Sequence, residues 1–162
     1  MKCDCLNTPI GKLVILAEGG YIKRILFEDE QPNNPCFAGE ISQAVPVLQL
    51  AKQQLSEYFA GKRKVFSLPL NPKGGAFHKK VWDCMMDKVA YATTASYSQV
   101  ADMVGNPKAS RAVGMANNRN PIPIIIPCHR IVGKGGGLVG FRWGVSIKDW
   151  LLEFEKNHNK IV

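Results

Sequence analysis

Two apolar runs stand close together near the start of the chain. Leu13-Val14-Ile15-Leu16-Ala17 is followed by Glu18-Gly19-Gly20 and then by Tyr21-Ile22-Lys23-Arg24-Ile25-Leu26-Phe27. Runs rich in β-branched and aromatic residues around a glycine pair predict a hairpin. After a loop bearing Pro32, Asn33, Asn34 and Pro35 the period changes. Val47, Leu50, Ala51, Leu55 and Phe59 recur at helical spacing within 41–60, and Gly61 is a natural stop. Residues 65–70 read as one more strand. Asn71-Pro72-Lys73-Gly74-Gly75 then interrupts every pattern and marks a boundary.

Beyond it, Phe77, Val81, Trp82, Met85 and Val89 form the apolar stripe of a helix over 76–89. Two shorter helical stretches, 98–104 and 108–117, flank Gly105-Asn106-Pro107. Asn106 is suited to cap the second and Pro107 to its first position. Ala101 and Gly105 are small where two helices must cross, so the pair reads as a helix-turn-helix. In its second helix Ala109, Ala112, Val113 and Ala116 form an inward face, and Arg111, Gly114 and Asn118 another face at i, i+3 and i+7. A glycine inside a helix costs about 1 kcal/mol relative to alanine. Gly114 therefore answers either to tight packing or to a helix slim enough to enter a groove. Prolines 121, 123 and 127 exclude a helix and predict a stiff, strand-like apolar segment up to Cys128. A last helix over 146–156 would bury Ile147, Trp150, Leu151 and Phe154, with Glu155 at the edge of that face. The fold class is α+β. A small sheet-and-helix domain over 1–70 precedes a mostly helical domain over 75–162, which carries the helix-turn-helix and the reactive cysteine.

Charge adds a direction to this outline. The 162 residues carry a net charge of +8. Residues 1–70 contribute +1 and residues 71–162 contribute +7. A basic half beside a near-neutral half suits a polyanionic partner, although a generally positive surface explains it equally well. No apolar run is long enough to span a membrane, and the N-terminus lacks the apolar core of a secretory signal. Five cysteines without regular spacing suggest a reduced, intracellular protein, cytoplasmic or nuclear, rather than a disulfide framework. Cys3 and Cys5 hint at zinc, but the histidines are only His78, His129 and His158 and offer no matching ligand set, so neither metal nor cofactor is expected.

Chemistry concentrates at Pro127-Cys128-His129-Arg130. A small buried core cysteine is one reading of Cys128. The other is a thiol whose cationic neighbours favour the thiolate at neutral pH. Adjacent residues of a strand point to opposite faces, so a turn at Cys128 is required if Cys128 and His129 are to work together. Turned inward, Glu155 could hold His129 and complete a Cys-His-Glu relay.

Pro127-Cys128-His129-Arg130 resembles the active-site motif of the O6-alkylguanine-DNA alkyltransferases. Its setting is similar as well: Arg111-Ala112-Val113-Gly114, Asn120-Pro121, Gly140-Phe141-Arg142-Trp143-Gly144 and Lys148-Asp149-Trp150-Leu151-Leu152 follow in the family's order and spacing. The match runs from about Phe77 to Glu155, and more loosely through Thr8-Pro9-Ile10-Gly11 and the hairpin.

The resemblance implies a protein that docks its helix-turn-helix in the minor groove of double-stranded DNA and flips the damaged base into a pocket. Cys128 would take the alkyl group of O6-alkylguanine, with O4-alkylthymine as a second candidate. His129 would act as base through a water, oriented by Glu155, and Tyr97 would give the departing base its proton. Asn120 would brace the active-site loop. Arg111 would fill the gap in the base stack, with Ala112, Gly114, Tyr97 and Arg130 also at the DNA, and Ile131, Phe141 and Arg142 would line the pocket. The thioether is stable, so the implied enzyme is a monomer consumed after one direct reversal of damage, without a cofactor.

Two departures accompany the resemblance. Val89-Ala90-Tyr91-Ala92 replaces a stretch that usually holds Ile-Pro and Gly, and Phe141 stands where tyrosine is common. Two other classes compete: a sensor that binds alkylated DNA without reacting, disfavoured by the presence of Cys128, and a cysteine hydrolase, for which the basic half would be idle.

Overall fold

The computed structural model describes residues 1–31, 33, 45–137 and 140–159, Glu28 by its backbone only. The chain divides into two compact units, Met1–Lys73 and Gly74–Val162. Among the described residues no helix is long and apolar enough to cross a membrane.

The first unit is built on a three-stranded antiparallel sheet of β1 (Lys2–Thr8), β2 (Gly11–Glu18) and β3 (Tyr21–Phe27), in the order β1-β2-β3. The predicted hairpin is β2–β3. Gly19 and Gly20 both take positive φ, 61° and 84°, as the tight turn demands. Strand β1 is too polar to have been read from its sequence; it pairs Lys2 with Ala17 through Thr8 with Gly11. Helix α1 (Pro46–Phe59) starts at a proline in its first turn and packs against all three strands. Central strand β2 is therefore buried over the whole of Leu13–Ala17. The buried stripe of α1 is Val47, Leu48, Ala51, Gln54, Leu55 and Tyr58, so the expected stripe is displaced, with Leu50 exposed. The start of the predicted helix, 41–44, lies outside the described residues, as does Cys36.

Two further expectations for this unit need correction. Residues 65–70 form no strand; a single parallel bridge joins Leu70 to Ile22, and Gln54 pins Ser67 through both its amide atoms. Cys3 is disulfide-bonded, whereas Cys5, Cys84 and Cys128 are free thiols, so the chain is not fully reduced.

The second unit opens with α2 (Ala76–Lys88), which buries Val81, Trp82, Cys84 and Met85. The helix-turn-helix is α3 (Tyr97–Met103) and α4 (Ser110–Asn118). Ser96 caps α3 by accepting from the Gln99 amide while Gln99 reaches back, a reciprocal cap. Asn106 does not cap α4, which begins four residues later behind Ala109. Asn106 and Pro107 instead make the connecting turn, after Gly105 at φ 81°. The Trp82 indole donates to the Ala116 carbonyl at 2.8 Å and ties α2 to α4.

A short parallel pairing positions the chemistry. β4 (Ala95–Ser96) lies beside β5 (Ile131–Val132), with Ala95 opposite Ile131 and Ser96 opposite Val132. Tyr97 follows β4 directly, and Cys128 precedes β5 by three residues. The proline-bearing segment before Cys128 is a turn rather than a strand. Ile126 donates to the Ile122 carbonyl at 3.0 Å, and Ile124 adopts φ 75°, a rare conformation for a β-branched residue. The last helix, α5 (Val145–His158), buries Lys148, Leu151 and Glu155. The expected stripe of Ile147, Trp150 and Phe154 is only half-buried, and Trp150 stacks on Phe154 at 4.9 Å.

Candidate active site

The required turn at Cys128 is present: Cys128–Arg130 is one turn of 3-10 helix, with Arg130 donating to the Pro127 carbonyl at 3.0 Å. It brings three consecutive buried side chains to bear on α5. His129 Nε2 lies 2.6 Å from Glu155 Oε2. The Arg130 guanidinium grips the same carboxylate at 2.9 and 3.1 Å and also donates to the Val89 carbonyl. The Ala92 amide donates to Glu155 Oε1 at 3.1 Å. His129 and Glu155 are fully buried, and Arg130 is 6 % exposed. Arg130 is thus an internal brace, which corrects the expectation that it reaches DNA.

Burial alone would favour the neutral form of Glu155, but His129 and Arg130 outweigh it and hold the carboxyl well below the usual range. Burial likewise keeps His129 neutral, against the pull of Glu155. With Nε2 engaged, Nδ1 has no hydrogen-bond partner among the described residues. A neutral imidazole oriented by a carboxylate, with one free nitrogen, is a base ready to take a proton.

Cys128 is 3 % exposed. Burial raises its pKa, while Asn120, Arg142 and Lys148 pull in the other direction without prevailing. Burial thus opposes the thiolate, while the cations beside it favour it. Asn120, also buried, donates from Nδ2 to the Ile126 carbonyl and accepts from the Ile122 amide, both at 2.9 Å. It thereby clamps the turn that delivers Cys128.

Tyr97 is half-buried, and its phenol is held protonated chiefly by burial, with the Cys128 charge acting in the same sense and Asn117 opposing. Its ring lies against α4 at Gly114, where an added methyl group would stand 3.8 Å away. That is ordinary contact, so packing does not demand this glycine. Arg111 and Ala112 are exposed on α4. Ile131 is fully buried, Phe141 half-buried and Arg142 exposed, its guanidinium 5.8 Å from the Trp143 ring centre.

Sequence reasoning assigned no part to Lys148. Its side chain is fully buried, its ammonium donates to the Ile131 carbonyl and it stands 6.0 Å from the Phe141 ring centre. Burial lowers its pKa and the Cys128 charge opposes that. Lys148, Leu151 and Glu155 stand at i, i+3 and i+7, a helical face that was visible but disguised by its charges. Asn117, buried on α4, was missed too. Among the described residues no three metal-ligating side chains converge.

Residues 76–157 match the family model for the 6-O-methylguanine DNA methyltransferase DNA binding domain, and residues 1–72 match that for the ribonuclease-like domain of the same family. A Bacillus subtilis constitutive methylated-DNA–protein-cysteine methyltransferase is 44% identical over 153 residues, covering 93% of this chain and 92% of that protein. The crystal structure of a Mycobacterium tuberculosis O6-methylguanine methyltransferase superposes with a TM-score of 0.85 at 35% identity, covering 99% of this chain and 96% of that one. A Mycobacterium tuberculosis OGT solved in complex with DNA gives 0.83 at 34% identity, covering 98% and 94%.

Proposed function

Because the chain belongs to the 6-O-methylguanine DNA methyltransferase family, we propose that Cys128 is the cysteine that receives the alkyl group. The protein is a DNA-repair methyltransferase that moves an alkyl group from O6-alkylguanine in DNA onto a cysteine of its own. The observation that carries the assignment is the 2.6 Å contact of His129 Nε2 with Glu155, which leaves Nδ1 without a partner among the described residues, one residue along the same 3-10 turn from the buried thiol of Cys128.

In the reaction, His129 Nδ1 takes the Cys128 proton through a water. The sulfur attacks the alkyl carbon, the carbon–oxygen bond breaks, and its electron pair leaves with the guanine. Tyr97, kept protonated by burial, donates its proton to the departing base. Glu155 holds the imidazole and stabilises its charged form. Asn120 keeps the turn in place. The product is a thioether, so each chain reacts once and needs no cofactor.

DNA binding falls to the exposed face of α4. Arg111 enters the minor groove and fills the gap left by the flipped base, and Ala112 and Gly114 keep the rest of that face slim. Ile131, Phe141 and Arg142 line the base pocket. The protein acts as a monomer.

Intact mass tests the assignment. Mixed with excess duplex bearing one O6-methylguanine, the chain gains a single methyl group, the gain maps to Cys128, and Cys128→Ala gains none. Methylation mapping to Cys5 or Cys84, or continuing past one group per chain, would remove Cys128 from this role.

A further inference from the structure

Asn117 is 3 % exposed, yet neither its Oδ1 nor its Nδ2 has a hydrogen-bond partner among the described residues. A buried amide in that state carries its desolvation penalty with nothing to offset it, and native folds keep few of them. A leucine has the same branching and the same number of side-chain heavy atoms without that penalty. The position cannot relax by sliding, because the adjacent Ala116 carbonyl accepts from the Trp82 indole. Something other than packing therefore accounts for the amide.

The ring of Tyr97 lies against the same helix. Gly114, on the same helix and one turn before Asn117 and Asn118, faces the Tyr97 ring. Across the site, a methyl group built on Gly140 would stand 3.5 Å from the Tyr97 hydroxyl and 3.7 Å from Asn118 Oδ1. The Asn117 amide acts on the same phenol and favours its ionised form, against both burial and the Cys128 charge. An amide that favours a phenolate does so by presenting its N–H to the oxygen.

We propose that Asn117 is a positioning residue for the proton-donating step of alkyl transfer. With the damaged base seated, Asn117 Nδ2 donates to the Tyr97 oxygen. The phenol hydrogen is then left to point at the base. As the carbon–oxygen bond breaks, that hydrogen passes to the base and the same Nδ2–H supports the phenolate, which later recovers a proton from water. The unpaired amide of the free protein is a donor held in reserve for a charge that exists only during reaction. The inference rests on Tyr97 being the acid, as argued above.

A double-mutant cycle tests it, read as the single-turnover rate at saturating protein on duplex carrying one O6-methylguanine. Hydrogen bonds to charged groups predict that Asn117→Leu slows transfer about tenfold or more in the parent background. In the Tyr97→Phe background the same substitution costs nothing further. The melting temperature of Asn117→Leu equals or exceeds that of the parent, since an apolar group replaces an unpaired amide. Asn117→Met, which is more adaptable in shape, repeats the cycle if the leucine disturbs folding. Equal slowing in both backgrounds, or no slowing in either, overturns the role of Asn117 while leaving Tyr97 as the acid. An unchanged rate for Tyr97→Phe overturns the acid assignment and this inference with it.

Discussion

In the first unit the fully buried side chains are almost all aliphatic: Leu13, Ile15, Ile22, Ile25, Leu26, Leu48 and Leu55. Asp4 and Gln54 are its buried polar residues among those described. The second unit buries Asn117, Asn120, His129, Arg130, Lys148 and Glu155. Backbone conformations divide the same way. Among the described residues, positive φ in the first unit falls on glycines only, whereas the second also places Ala92 at 61° and Ile124 at 75°. One unit removes apolar area from water on a regular ladder. The other holds buried charges and positive-φ turns, and strain of that kind gathers at functional sites. Stability and activity should therefore separate on mutation.

The sharpest break in that comparison is a matched pair of substitutions. Glu155→Gln leaves Arg130 and His129 buried without their carboxylate, so it should cost about 3–5 kcal/mol of stability and slow alkyl transfer roughly a hundredfold or more. Leu48→Ala, in the aliphatic core, should cost about 2–5 kcal/mol yet leave the transfer rate unchanged below its melting temperature. Chemical denaturation and single-turnover rates measure both, and a comparable rate loss in Leu48→Ala would erase the distinction.

Acid separates the units next. His129 has a lowered pKa in the folded protein. Below its unfolded value of about 6.5 the unfolded chain binds a proton that the native chain refuses, and stability falls. Glu155, also lowered, adds a second loss as pH drops below the unfolded carboxyl value of about 4.3. Stability is thus fully present above about pH 6.5 and declines in two stages below it. His129→Gln removes the first stage, and a parent protein equally stable at pH 5 and pH 7 would contradict it.

The smallest effect concerns Ala92. Its left-handed conformation is one that glycine adopts freely, so Ala92→Gly should raise stability by about 1 kcal/mol without altering the transfer rate. Thermal melts decide it, and a loss of stability would show that the turn is not strained.

How much of this was legible follows the same division. The β2–β3 hairpin and the order of the helices were readable because apolar spacing reports burial where burial is apolar. The α5 stripe was misread for the converse reason. Its buried face carries Lys148 and Glu155, so periodicity selected Trp150 and Phe154 instead. The start of α4 was misplaced because Asn106 and Pro107 are equally good residues for a turn. The grouping of Cys128, His129 and Glu155 was legible from the residues, through the turn needed at Cys128 and the place of Glu155 at the edge of the last helix's apolar face, whereas Asn117 was hidden, since no pattern marks a buried polar residue. Val89-Ala90-Tyr91-Ala92, the stretch that departs from the family's usual Ile-Pro and Gly, ends in a positive φ at Ala92.

The two oxygens of the Glu155 carboxylate reach two different turns of the second unit. One holds the imidazole; the other holds the Ala92 amide, five residues before the phenol of Tyr97. The turn that carries His129 and the turn at Ala92 are thus moored to one carboxylate on one helix. A substitution at Glu155 therefore unties both at once, which neither turn could do to the other.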